Sequence, residues 1–197
     1  MALCDPIDGL SILLRCVEVT DAERLLSLRT DKRLTRFLPP LQGTLEDQQN
    51  WIKRQRAAPG DYYFAIERKE LKAEAPTEGF IGLYCLSEAD RAEAEWGRWI
   101  LSKSSLASVE SAFLIYQFAF DVLGLKRVFC RSIAENISVL SFHDRCGLKR
   151  TGLLRDEFII GEKKFDAVVH SLTYREWPAI KAAIYVWVER FAPLLSR

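Results

Sequence analysis

His143 follows Asn136 by seven residues. On a helix that is two turns, about 10 Å, so the two side chains share a face. An imidazole in that position can exchange a proton near neutral pH, and the asparagine can bond a polar ligand or cap the helix it begins. Glu93 and Glu95 alternate with Ala92, Ala94 and Trp96, so on a strand both carboxylates point to one face. A carboxylate buried among aromatics has a raised pKa and suits general-base work; a solvated sheet face is the ordinary alternative. Other constellations fall short. His143 and Cys146 stand at i, i+3 with no second pair to complete a zinc site, and Cys146 lacks a base and an orienting group as a nucleophile. His170 lies in an apolar run and reads as structural.

The elements that must carry these residues centre on residues 110–148. Glu110, Gln117 and Asp121 are spaced seven and four apart in an otherwise apolar run, which predicts a helix with one narrow wet stripe, buried almost all round. Gly124 supplies its left-handed end. Residues 126–133 read as a buried strand. A second helix starts at Asn136, with Val139, Phe142 and Cys146 inward and Gly147-Leu148 closing it as a Schellman motif. Upstream, residues 1–9 read as a loose end and 11–19 as a strand. Thr20-Asp-Ala-Glu23 reads as a capping box for a helix ending near Arg29 or Thr30. Pro39-Pro40 breaks the mixed segment that follows. A second amphipathic helix runs from Thr44 to Pro59-Gly60, with Trp51 and Ile52 inward. Residues 62–67 are a strand and 68–78 an exposed hairpin loop. Residues 79–86 and 93–101 are antiparallel neighbours joined around 87–91, and 150–160 and 164–174 a last pair about Gly161-Glu162. Pro178 suits the first turn of a C-terminal helix whose apolar stripe is Ile180, Ile184, Trp187 and Phe191. That helix is expected to pack on the parent domain first and against a second copy second. The order of elements predicts an α+β fold, a sheet flanked by helices.

A chain of 197 residues is expected to form a single domain over residues 1–197. Its 49% hydrophobic and 28% charged content is ordinary for a soluble globular protein. A net charge of +1 without long blocks of one sign argues against nucleic acid or an acidic membrane as partner. Cys4, Cys16, Cys85, Cys130 and Cys146 are odd in number and form no Cys-x-x-Cys pair, which predicts reduced thiols in the cytoplasm rather than a disulfide framework. The first residues, with Asp5 and Asp8, do not read as a signal peptide. No apolar run approaches the roughly 20 residues that span a bilayer.

Three pieces, in this order, carry a family resemblance: Asp121-Val-Leu-Gly-Leu-Lys-Arg-Val128, Glu135-Asn136-x-Ser138 and Cys146-Gly147-Leu148. They resemble the second half of the GNAT superfamily of acyl-CoA-dependent N-acetyltransferases. The nearest branch is the one holding ribosomal-protein N-terminal and amino-sugar acetyltransferases. The resemblance covers about residues 10–178 and leaves 179–197 as a helical extension. It implies a mixed, mostly antiparallel sheet, with acetyl-CoA as co-substrate where the strand before the central helix splays from the strand after it. The pyrophosphate is then expected at the N-terminus of that helix, where free amides favour anions. Family members carry glycines in this loop; here it is Lys103-Ser104-Ser105-Leu106-Ala107-Ser108, with none. Serine hydroxyls and Lys103 could substitute, or Ser105 or Ser108 could simply cap the helix.

By the same resemblance a backbone N–H among Arg98, Trp99, Ile100 and Leu101 would hold the thioester oxygen. Glu95 would be the base, and His143 would stand where many relatives carry a tyrosine acid, protonating the leaving thiolate as an imidazolium. Asn136 would bond the pantetheine arm. The acceptor side would include Arg29, Arg36, Phe37, Trp51, Tyr62 and Tyr63; two arginines with aromatics could hold a nucleotide diphosphate and stack its base. The implied activity is acetyl transfer to a primary amine by direct attack in a ternary complex, in a monomer or homodimer. The acceptor is a nucleotide-linked amino sugar or, alternatively, a protein N-terminus. A non-catalytic binding or regulatory module of the same fold is the reading from another class, kept open by the glycine-free loop.

Overall fold

Short runs rich in Val, Ile, Phe and Trp become strands, and the helically periodic segments between them become helices. The computed structural model describes residues 5–41, 43–69, 77–84, 92–103 and 105–195. The strands are β1 (Ile7–Asp8), β2 (Ile12–Cys16), β3 (Tyr62–Arg68), β4 (Gly79–Tyr84), β5 (Glu93–Leu101), β6 (Arg127–Ile133), β7 (Lys149–Ile160) and β8 (Lys163–Thr173). The helices are α1 (Ala22–Thr30), α2 (Leu45–Ala57), α3 (Ser108–Gln117), α4 (Ile137–Arg145) and α5 (Trp177–Leu195). All eight strands join one sheet in the order β1-β2-β3-β4-β5-β6-β8-β7. Only β5 and β6 run parallel; the other neighbours are antiparallel. The α+β class, the mostly antiparallel sheet and the C-terminal helix are as expected.

Alternation along the strands builds two cores. Phe64, Ile66, Ile81, Leu83, Ala94 and Trp96 face α3, α4 and α5. Tyr63, Ala65 and Phe80 face α1 and α2, where Leu25, Leu28 and Ile52 meet them. In β5 this alternation changes phase. Ala94 and Trp96 lie in the first core, yet Ile100 lies in the second and Trp99 and Leu101 pack against the first. The cause is a bulge: the β4 register steps from Phe80↔Ile100 to Gly82↔Gly97, and Arg98 sits at φ +48. A left-handed backbone at a non-glycine residue costs roughly 1–2 kcal/mol, and the extra residue re-aims every side chain beyond it.

Several local expectations change. Ile7–Asp8 is not loose but pairs with Leu13 and Leu14. The capping box forms two residues earlier than Thr20 to Glu23, between Glu18 and Asp21 around a short 3-10 turn. Asp21 is drawn there by Arg15, which bonds both of its oxygens at 2.8 Å. The capping box of Thr44 and Asp47 opens α2. The central helix starts at Ser108, and its last turn, Phe118–Val122, widens to a π-helix. Glu110, expected on the wet stripe, is 3% exposed and accepts from the backbone and hydroxyl of Ser11, tying β2 to α3. On α5 the buried stripe is Trp177, Ile184, Val188 and Ala192, whereas Trp187 is 48% exposed. Phe113 and Tyr116 of α3 pack on Trp177, so the helix docks on its own chain. Cys16 is disulfide-bonded, against the expectation of reduced thiols, while Cys130 and Cys146 are free and buried. Of the loop expected at 68–78, Arg68 instead ends β3 and residues 70–76 lie outside the described residues, as do the connection expected at 87–91 and the end of the strand expected at 79–86. Among the described residues no helix is long and apolar enough to cross a membrane.

Candidate active site

β5 and β6 pair only at Glu93↔Arg127, Ala94↔Val128 and Glu95↔Phe129. Beyond that point Trp96 to Leu101 and Cys130 to Ile133 run on without pairing to each other, and a cleft opens between them. Its walls include Phe37, Tyr84, Glu95, Trp99, Arg131, Asn136 and His143, with Phe158 and Ile160 reaching over from β7. The structure thus brings together His143, Glu95, Trp99, Asn136 and Phe37 from the residues singled out in the sequence.

Glu95 is not a free carboxylate. Arg131 holds it through Nε–H to Oε1 at 3.0 Å and Nη2–H to Oε2 at 2.7 Å, and the same guanidinium pairs with Glu157 of β7. Both carboxylate oxygens of Glu95 are thereby engaged in a charge-assisted, bidentate pair. His143 is 2% exposed, edge-on to Trp96 with ring centroids 5.2 Å apart. Burial, reinforced by the neighbouring His170, pushes its pKa down to about 3. The expected imidazolium is therefore corrected to a neutral imidazole at physiological pH. Its Nε2 lies 3.6 Å from Cys130 Sγ, and its Nδ1 is buried without a hydrogen-bond partner among the described residues. Burial pushes the Cys130 thiol up, so it stays protonated. His170, fully buried, lies 3.1 Å from an Asp144 carboxylate oxygen through Nε2.

The segment before α3 is partly described. Ser104 lies outside the described residues. Lys103 is exposed, Leu106 is 43% exposed and Ala107 is buried. Ser105 Oγ accepts from the Ala107 amide at 3.2 Å, and the Ser105 amide donates to Ser102. The N-cap of α3 is Ala107, with no side chain capping it, so neither Ser105 nor Ser108 caps the helix as one alternative held. Among the described residues the first amides of α3 thus have no side-chain acceptor, which suits an anion. Asn136 is the N-cap of α4 without capping by its side chain; its Oδ1 accepts from Ser138 at 3.1 Å.

A second cavity lies between α1, α2 and the bulge of β5, lined by Arg29, Trp51, Tyr63 and Arg98 among others. Arg98 borders both cavities. Its guanidinium pairs with Asp61 at 2.6 Å and lies 4.2 Å from the Tyr84 ring and 5.5 Å from that of Trp51. Arg36 is exposed beside Phe37, 5.0 Å from its ring. Tyr62 is corrected: strand alternation turns it to the opposite face, against Phe118 at 5.0 Å, and Tyr63 takes the place beside the cavity. Ile100 gives its side chain to the core, so only its backbone can serve a ligand. The sequence reading gave no role to Arg131, Tyr84 or Cys130. Isolated glycines within strands, Gly82 and Gly97, face each other where the register shifts and are the signal for the bulge.

The family described as an acetyltransferase (GNAT) domain matches residues 11–149. No curated protein matches the chain. Among solved structures, a GCN5-related N-acetyltransferase from Brucella melitensis is similar at 22% identity and TM-score 0.79, covering 94% of this chain and 86% of that one. Apo FdhC, a nucleotide-linked sugar GNAT, is similar at 26% identity and TM-score 0.71, covering 91% and 97%. A spermidine N-acetyltransferase chimera from Vibrio cholerae is similar at 16% identity and TM-score 0.74, covering 85% and 98%. A strand pair that splays above an uncapped helix start, on a sheet of this order, agrees with the family match: the chain belongs to the GNAT family and is an N-acetyltransferase.

Proposed function

We propose that this enzyme passes acetyl from acetyl-CoA to a primary amine by direct attack in a ternary complex, with a nucleotide-linked amino sugar as acceptor. The observation that carries the reading is the splay of β5 from β6 beside the uncapped start of α3. The unpaired edge of β5 leaves backbone N–H groups among Trp99, Ile100 and Leu101 for a thioester oxygen. The α3 amides, with Lys103, Ser105 and Ser108, supply donors and charge for a pyrophosphate despite the missing glycines, Leu106 and Ala107 shape the turn, and Asn136 faces the pantetheine arm.

Read with the protonated Cys130 thiol as donor, the 3.6 Å contact to His143 Nε2 leaves the imidazole proton on Nδ1. A neutral N–H of this kind polarises a carbonyl or steadies a departing thiolate without ionising. The acceptor ammonium first gives one proton to water; the free amine attacks the thioester carbon, the C–S bond breaks, and the proton shed by the nitrogen of the tetrahedral intermediate passes to the departing sulfur. Glu95, fixed by Arg131, draws that ammonium in. The acceptor side favours an anion over a peptide N-terminus: three arginines and one acid line the second cavity. Likeness to a nucleotide-linked sugar GNAT supports the same choice.

Calorimetric titration with acetyl-CoA tests the reading, followed by thiol release with nucleotide-linked amino sugars and then with peptides. Micromolar coenzyme binding and turnover of a sugar support it. Turnover of peptides alone replaces the acceptor, and no coenzyme binding at millimolar concentration ends the catalytic reading.

A further inference from the structure

The cavity between α1, α2 and the β5 bulge encloses ≈ 360 Å³, within the range of small-molecule sites, about 300–1,000 Å³. Its charges do not balance. Arg29, Arg54 and Arg98 line it against the carboxylate of Asp47. Arg98 has Asp61, and Asp47 is engaged by the Thr44 amide and hydroxyl at 2.7 and 2.8 Å. Arg29 has no such partner. Its Nη2 donates to the Pro39 carbonyl at 2.9 Å, its Nε is buried with nothing to bond, and no carboxylate pairs with it among the described residues. Burial pushes its guanidinium pKa down, as for a cation short of counter-charge. Removing a cation from water without an acid beside it is costly, and a planar fork of donors matches an oxyanion. Trp51, edge-on to Tyr63 at 5.6 Å, supplies an aromatic wall.

We propose that Arg29 anchors an oxyanion subsite separate from the splay, where the acceptor's phosphate or carboxylate sits while its amine reaches past Arg98 to the thioester. The inference rests on the acceptor-side reading above and deepens it. Amines without an anion find no anchor, so the subsite selects substrates by a charge remote from the reacting nitrogen. Arg98 marks the boundary because it borders both compartments.

The test titrates the full chain with inorganic pyrophosphate and, separately, succinate, with saturating CoA present to fill the other phosphate site. Binding of pyrophosphate alone marks a phosphate ligand, and binding of succinate alone a carboxylate; either supports the subsite. Arg29→Met is expected to bind the anion about tenfold or more weakly. Without ligand the variant is expected to melt at or above the wild-type temperature, because a desolvated cation has been removed, and to lose the rise in Tm that the anion gives wild type. Should the methionine variant fail to fold, Arg29→Lys keeps the charge without the fork and is expected to bind severalfold more weakly. Equal anion affinity in wild type and variant, or no binding of either anion to wild type, overturns the proposal. Acetyl-CoA binding measured on the same samples separates the two readings. Coenzyme binding without anion binding removes the subsite alone, whereas absent coenzyme binding removes acetyl transfer and leaves the anion result standing.

Discussion

His143 makes the stability of this fold depend on pH in a calculable way. Burial, with His170 alongside, lowers its pKa from 6.5 to about 3. Between those values the unfolded chain takes up a proton that the folded chain refuses. Stability from this residue is therefore complete above pH 6.5 and is lost as pH falls towards 3. At 1.36 kcal/mol per unit, the whole window is worth about 4–5 kcal/mol, of which about 2 kcal/mol disappears between pH 7 and pH 5. His143→Gln abolishes the titration but leaves the exposed pair of Asp144 and Arg150 in place. Urea unfolding of both proteins at pH 7, 6 and 5 isolates the contribution. Wild type is expected to lose about 2 kcal/mol more than the variant across that interval. Parallel loss in the two would refute the neutral, buried imidazole and, with it, the Nδ1–H donor proposed for the cleft. A corollary concerns catalysis: no limb of the pH–rate profile above pH 5 should belong to His143, so an acid limb near 6.5 that vanishes in His143→Gln would contradict the same reasoning.

Three further outcomes follow from particular contacts. Asp121 accepts from the Trp177 indole at 2.8 Å and pairs with Lys181 at 2.6 Å; Asp121→Ala leaves the indole N–H unsatisfied and is expected to cost about 1–3 kcal/mol by urea unfolding. A Cβ at Gly79 would meet the carbonyl oxygen of Ile100 well inside van der Waals contact, so Gly79→Ala must part β4 from β5. A loss of about 1–3 kcal/mol or more, read by thermal melting, is expected, and an unchanged Tm would mean the two strands have room to separate. Lys103→Ala is expected to raise the KM for acetyl-CoA severalfold with kcat nearly kept, and to flatten its salt dependence; a fall in kcat alone would place Lys103 elsewhere.

What could be read in the sequence was whatever depends on local backbone chemistry. Gly147 closes α4 because it takes φ +82, and the two Schellman bonds, Leu148 to His143 at 3.1 Å and Gly147 to Asp144 at 3.0 Å, form as its position predicts. The order and type of the strands followed from the same local logic. The site resisted because its chemistry depends on partners far along the chain. Arg131, whose guanidinium engages both oxygens of Glu95, lies 36 residues away, and the Trp96 and Cys130 that enclose His143 come from two different strands. Nothing in the spacing of Asn136 and His143 distinguishes a wet imidazole from a dry one. Face assignment failed for a related reason. Tyr62 and Tyr63 are equally aromatic, and only the registry of β3 with its neighbours decides that the second meets the cavity. The bulge at Arg98 sharpens the point. Regular alternation would carry Ile100 to the same face as Trp96, and one inserted residue instead sends it to the other, leaving Trp99 on the cleft and Arg98 between two cavities. A strained residue in the middle of a strand is tolerated where it re-aims side chains, so the place where the regular pattern breaks is also the place where the candidate site is made.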